Sequence, residues 1–545
     1  MGERKFVFTR DSSGFVREFT PVQATFFNGA VVLNAITNSL PGFMIVAALS
    51  FPRANILLAG LIAVLMGITL IVAYGLMTTA MPRSSGDYVW VSRILHPLLG
   101  VVGGFIFWVF FWGWLSYNGY VFAAVGLAAP LQTYGQLTGN NALVSLGQTI
   151  GSSTGSFLFG LLIIFLPFLI VIFGIKRVGQ AAVITGIATL LGALALLFNI
   201  MSVNQAVFIS RFDIVMGSGA YRNFIETAKA AGWSGTTAFT GNTNLFDTLV
   251  LAAMFASGFT LWCWAHIPLV GELKNAQSVK RNLAMMTIPL LSAGTIVTFY
   301  YYFFNSVVGE LNTAISYLGN AGNPLVETLP FAWNTSTVYL PMVAVGPMVL
   351  PLVMFFVALS ACSAALQANI ANIVAPVRYM FAQAFDGVLP RALASVWEKY
   401  HVPLVGYVVL AVGAVIWHIL QTIYPGFWYY LSFVIGAQII LWILGCLAAA
   451  VFPYRLKSVF EASPAGRYKV AGVPVVTIFG VLGCLSMLVC LGVNLGVTEL
   501  GGTTNVPTIV VMGIIALIIY FVMKAYRSSK EGIDIGLAFK QIPPE

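Results

Sequence analysis

Twelve apolar stretches divide the chain, each long enough for a helix to cross roughly 30 Å of hydrocarbon: 25–50, 55–80, 99–130, 156–174, 180–202, 246–270, 283–308, 338–375, 404–421, 428–452, 473–497 and 506–524. The stretch 99–130 has length to spare for tilt. The first is interrupted by small, polar and helix-breaking residues: Asn34, Thr37, Asn38, Ser39, Pro41 and Gly42. Such residues give either a harmless kink or a true break in a spanning helix. The sixth stretch carries its own interruption, Ser257, Gly258 and Thr260 within Phe255–Trp262. If stretches 1–5 and 6–10 are two halves of opposite orientation, these interruptions fall at matching positions. Paired breaks of that kind mark the central site of a transporter and favour the break over the kink.

The same pattern divides the chain into a polar tail (1–24), a first half (25–202), a loop (203–245), a second half (246–453), two further spans with their connection (454–527) and a second tail (528–545). The loop is too long for a plain connector, and Phe224, Ile225 and Ala228 predict a short amphipathic surface helix within it. Residues 1–20 are polar and show no cleavable signal pattern, so the first span is expected to be retained.

Composition agrees with a polytopic membrane protein. Hydrophobic residues make up 59% of the chain and charged ones 8%, against about 25% charged in soluble domains. With twelve crossings, 22 of the 26 Lys and Arg fall on one side, leaving Arg53, Arg211, Arg222 and Lys229 on the other. The positive-inside rule then puts both termini in the cytoplasm of a multi-pass cell-membrane protein. Topology accounts for the net charge of +9, and no nucleic-acid partner is called for.

No phosphate loop, paired carboxylates or His–Cys–Asp constellation is present, so an enzyme is not expected. The five cysteines have no metal spacing and read as small buried hydrophobes. No Asp, Glu, Lys or Arg lies at mid-depth; Asp247, Glu272 and Glu310 fall near span ends. A ligand would therefore be held by backbone groups, hydroxyls, amides and rings. Asn334-Thr-Ser336 is a glycosylation pattern in a predicted external loop.

Four segments carry a resemblance. Met81–Arg93 with Pro97–Gly100, Gly271-Glu-Leu-Lys-Asn275, Val377–Pro390 with its Arg378…Asp386-Gly-x-Leu-Pro, and Ser463–Pro474 resemble, in order, motifs of the amino acid–polyamine–organocation (APC) family of permeases. The resemblance implies an all-α integral membrane protein with a LeuT-like 5+5 inverted repeat, two extra helices, and breaks in helices 1 and 6. It also implies rocking of spans 1, 2, 6 and 7 against 3, 4, 8 and 9 around a mid-membrane amino acid. The charges in these motifs, Arg83 with Asp87 and Arg93, and Arg378 with Asp386, could pair as gate latches or act as static anchors.

On this reading the substrate carboxylate is expected near Asn38, Ser39, Leu40, Pro41 and Gly42, at the positive end of a half-helix. The amino group is expected near Phe255, Ala256, Ser257 and Gly258. Phe259 and Trp262 could close over a side chain; Tyr117 and Asn118 either line the pocket or pack in the core. Two departures stand out. Ser39-Leu-Pro-Gly42 replaces the family's Gly-[Ser/Thr]-Gly, and span 5 has Thr185 and Thr189 but no Lys. Ser360 and Ser363, on one face of span 8, resemble a sodium site, although such hydroxyls also bond to neighbouring backbone. No cofactor is expected, and Na+ coupling, H+ coupling and exchange remain open. The alternatives to amino-acid transport are another amine or organic cation such as a polyamine, or a channel or sensor. Oligomeric state is not legible.

Overall fold

The computed structural model describes residues 13–235, 238–239, 243–424, 429–500 and 502–543. Among these, twelve segments are long and apolar enough to cross a membrane. Spans 1 to 6 are Pro21–Ser50, Ile56–Ala80, Pro97–Thr138, Ser153–Val171, Ile175–Met201 and Leu245–Glu272. Spans 7 to 12 are Val279–Val308, Leu350–Phe385, Leu404–Ile423, Ile435–Arg455, Val475–Gly496 and Val506–Lys530. The basic residues Arg4, Lys5 and Arg10 fall outside the described residues.

Burial sorts the spans. In the most apolar window of spans 1 and 6, 78% and 89% of residues are buried, against 28% and 11% in spans 11 and 12. The two interrupted helices therefore form the centre, and the last two lie at the periphery, where their Leu, Ile and Val side chains face outwards.

Span 1 starts on a capping box. Thr20 accepts from the Gln23 N–H, the Gln23 side chain accepts from the Thr20 N–H, and Pro21 occupies the first helical position, where its missing N–H costs nothing. The helix stops at Asn34 and restarts at Ser39. Three of the residues at that interruption, Asn34, Thr37 and Asn38, have side chains that compete with helical hydrogen bonding, and the Thr37 hydroxyl bonds the Asn34 carbonyl. Pro41 falls in the first turn of the second half, where proline is tolerated. Span 6 runs helically to Gly258, turns at Phe259 (φ −143°, ψ −45°) and continues as 3-10 turns from Thr260.

Two boundaries differ from expectation. The apolar stretch 338–375 does not form one span: Leu340–Ala344 is a 3-10 turn and the helix begins only at Leu350. Gly346 and Pro347 interrupt it, as their backbone preferences dictate. At its other end span 8 continues through Arg378 to Phe385, so the expected loop motif is helical, its arginine neutralised by Glu272. The loop after span 5 does hold the amphipathic helix, Ala220–Ala230, with Phe224, Ile225 and Ala228 buried. A helix at Gln205–Met216 precedes it.

Both terminal segments lie against the same end of the bundle. The Phe19 N–H bonds the Glu272 carbonyl and the Lys274 N–H bonds the Phe19 carbonyl, adding a short extended pairing after span 6. At the other terminus, Arg83 donates to the Pro543 carbonyl (2.6 Å) and Arg93 to the Gln541 carbonyl (3.3 Å).

Candidate functional site

The two breaks meet. Ser39 Oγ, at the start of the second half of span 1, donates to the carbonyl of Gly258 at 3.2 Å. A Cβ on Gly258 would sit 2.8 Å from the Phe43 ring and 3.3 Å from Leu40, so the absence of a side chain is what lets the halves approach. Trp262 folds back so that its indole N–H bonds the Ser257 carbonyl (2.9 Å). The exposed carbonyls of the span 6 break thus already carry one donor each.

At the start of the second half of span 1, few backbone donors remain. The Asn38 and Leu40 N–H groups both bond the Ala35 carbonyl, and Pro41 has no N–H. The Ser39 N–H makes no such bond. The Asn38 carbonyl accepts from the Tyr117 hydroxyl (3.0 Å).

Two adjoining cavities flank this junction, with Asn38 in the wall of both. The inner one, about 40 Å³, is lined by Asn34, Asn38, Ser39, Asn118, Ser257, Gly258 and Asn372, with the Trp114 and Trp262 indoles and Ile435 on its apolar side. The outer one, about 270 Å³, includes Thr37, Asn38, Pro41, Gly42, Tyr117, Tyr120 and Asn334. Among the described residues, no charged side chain lines either.

Of the residues singled out from sequence, Asn38, Ser39, Asn118, Ser257 and Gly258 border the inner cavity, and Asn38, Pro41, Gly42 and Tyr117 the outer. Leu40, Phe255, Ala256 and Phe259 border neither and are core residues with no exposure; Phe255 packs on Phe259 and Tyr301. Leu40 packs at the junction itself, 3.3 Å from where a Cβ on Gly258 would lie. Val31, Ala35, Trp114, Ala368, Asn372 and Ile435 were not anticipated; an asparagine in an otherwise apolar run, as at Asn372, was the available signal.

Ser360 and Ser363 lie on the face of span 8 that meets span 5. Ser360 Oγ donates to the Thr189 carbonyl (2.9 Å), and Ser363 Oγ lies 3.1 Å from both Thr189 Oγ1 and the Ser360 carbonyl. Both hydroxyls tie span 8 to span 5, and neither lines the two cavities.

A family model described as amino acid permease matches residues 25–523, nearly the whole chain. The chain belongs to the amino acid permease family. The permease is accordingly a multi-pass membrane protein and a transporter of amino acids rather than an enzyme. No curated protein matches it.

The end of the permease where Phe19 and Pro543 pack is crossed by two buried ion pairs. Arg378 grips Glu272 through two bonds (2.8 and 3.0 Å) and donates a third to the Tyr407 hydroxyl (2.8 Å); both charged side chains are 1% exposed. The Phe15 ring covers the guanidinium. Arg93 makes a second fork onto Asp386 (2.6 and 2.7 Å), which also accepts from Tyr88. The expected pairings are thus corrected: Arg93 reaches Asp386 and Arg378 reaches Glu272, across the bundle rather than within each motif.

Asp87 pairs with no cation among the described residues. Ser85, in the left-handed conformation (φ 59°), turns the chain after span 2 and buries Asp87 against the Tyr379 hydroxyl and the Trp264 indole N–H. Burial pushes its carboxyl from about 3.8 up to about 7, outweighing the two donors that favour the charged form. Trp264 in turn continues a row of edge-to-face indoles, through Trp442 and Trp262 to Trp114 at the inner cavity.

Asp87 gives the permease a pH-dependent stability with a defined sign. Unfolded, the carboxyl ionises near pH 3.8; folded, it holds its proton until about pH 7. The folded state binds the extra proton between those values, so stability is greatest at the acid edge, falls as pH rises, and levels off above about 7. Thermal melting of purified protein across this range should show wild type losing on the order of 4 kcal/mol relative to Asp87→Asn. A difference between the two that stays constant with pH would refute the assignment.

Proposed function

We propose that the permease carries a net-neutral amino acid by alternating access, with the substrate bound where the breaks of spans 1 and 6 meet. The observation that carries this reading is a cavity at the Ser39–Gly258 contact with no charged residue in its described lining, beside a larger cavity that shares Asn38 and with two buried ion pairs elsewhere in the bundle. A polycation would need acidic partners that neither cavity supplies. The substrate carboxylate is placed towards the Ser39 N–H, at the positive end of a half-helix.

The basic residues concentrated at the end crossed by the ion pairs make that end cytoplasmic, so the conformation described is the one closed to the cytoplasm. Opening requires the Arg378–Glu272 and Arg93–Asp386 forks to part while the opposite end closes. With Ser360 and Ser363 bound to span 5, coupling is assigned to no particular ion.

Reconstitution in liposomes with labelled neutral, acidic and basic amino acids tests the reading. Saturable uptake of neutral amino acids is expected, and imposing sodium and pH gradients separately identifies the coupling. Conductance that no amino acid saturates would establish a channel instead, and binding without flux a sensor.

A further inference from the structure

Asn38 ends a one-way chain of hydrogen bonds. Asn369, in span 8, gives both amide hydrogens to backbone carbonyls, Ile163 at 3.1 Å and Leu115 at 3.3 Å. Carbonyls only accept, so the Asn369 oxygen must be the atom that faces Asn118, and Asn118 Nδ2 donates to it at 2.9 Å. The Asn118 oxygen is then left to accept from Asn38 Nδ2, at 2.6 Å. Carboxamide orientation is ordinarily ambiguous by a half-turn and is settled by the bonding network. Here two carbonyls fix all three groups.

The outcome is delivered at the break. Asn38 borders the inner cavity, and its Oδ1 is buried with no donor among the described residues. Asn34, the last residue of the first half-helix, borders the same cavity, and its Oδ1 is likewise buried with no donor among the described residues. The Tyr117 hydroxyl holds the Asn38 backbone in place. Each orphaned acceptor costs about 1–3 kcal/mol, recovered by a ligand that brings N–H groups. The cavity's 40 Å³ exceeds the roughly 10–15 Å³ that one water needs, which leaves room for a small head group, and Asn38 also borders the larger cavity beside it.

We infer that Asn38 and Asn34 hold the substrate's ammonium group, with Asn118 and Asn369 as positioning residues that aim the Asn38 oxygen. This deepens, and rests on, the transport reading above. It moves the amino pole from span 6, whose Ser257 and Gly258 carbonyls already serve Trp262 and Ser39, to span 1. It also narrows the substrate class to molecules that bring an unsubstituted primary ammonium, whose N–H groups the two asparagine oxygens accept.

The test uses the full-length protein in liposomes with labelled leucine and phenylalanine. The competitors are the matching amines (isoamylamine, phenethylamine) and the matching deaminated acids (4-methylpentanoate, 3-phenylpropanoate). In wild type the amines should compete and the acids should not. Asn38→Leu should raise KM by about tenfold or more and abolish the preference for amines over acids. Asn369→Leu, which contacts no substrate, should raise KM with kcat little changed, and Asn369→Gln should restore part of the loss. Asn34→Asp adds a charge without changing size and should shift preference towards the amines, which keeps the test open if the leucine variants fold poorly. Acids competing as well as amines, or Asn34→Asp leaving preference unchanged, would overturn the cage while leucine uptake leaves the transport reading standing. Wild type that takes up neither amino acid nor binds either amine would overturn both.

Discussion

Gly258→Leu is expected to reduce amino-acid uptake to background. A Cβ at this position already lies 2.8 Å from the Phe43 ring and 3.3 Å from Leu40, tighter than ordinary contact, and a leucine would drive three further carbons into the second half of span 1. Overpacking of this kind costs roughly 1–3 kcal/mol in a soluble core. Here it also separates Ser39 from the Gly258 carbonyl and fills the inner cavity. Gly42→Ala is the control. A Cβ there meets nothing within 4 Å, and Gly42 borders only the outer cavity, so uptake should remain within about twofold of wild type, with stability unchanged or slightly improved. Uptake assays on monodisperse protein distinguish the cases. Near-normal transport by Gly258→Leu would remove the junction from the substrate path.

Breaking the deeper ion pair should have the largest effect on stability. Arg378→Met leaves Glu272 buried at 1% exposure without its fork, and stranding one charge of a buried pair typically costs about 3–5 kcal/mol. The loss should appear as a pronounced fall in melting temperature and as labelling of cysteines introduced near Phe15, which now covers the guanidinium, and near Phe381, which packs on Phe15. Adding Glu272→Leu removes the stranded charge, so the double variant should recover much of the melting temperature. It should not recover transport if the fork must re-form in each cycle. A double variant that transports normally would reduce the pair to a static anchor.

These outcomes separate what the sequence carries from what only folding assembles. Hydropathy marks the spans because a membrane helix must satisfy its backbone internally and present apolar side chains to lipid; the breaks are visible because Asn, Pro and Gly violate that pattern. The amphipathic helix around Phe224 follows from periodicity alone. The extent of span 8 did not, because its charged end is made tolerable by Glu272, more than a hundred residues away in the chain. The same holds within the site. Asn38 and Ser39 stood out locally, whereas the polarity of the Asn38 amide depends on Asn369 and on two carbonyls from spans 3 and 4. Phe255, Ala256 and Phe259 were plausible neighbours of a break, but a helix turns 100° per residue, and of residues 255–259 Ser257 and Gly258 line the cavity. Serines 360 and 363 share a face, as their spacing requires, and that face meets span 5.

The row of indoles from Trp114 to Trp264 has a practical consequence for optical work. Neighbouring ring centres are about 6 Å apart, close enough for excitation to pass between them, and the row joins the inner cavity to the partner of Asp87. Intrinsic emission from this permease will therefore respond both to an occupant beside Trp114 and to the ionisation of a carboxyl beside Trp264. A quench on adding an amino acid acquires a location only when the row is cut, for example at Trp442, and the two ends are read separately.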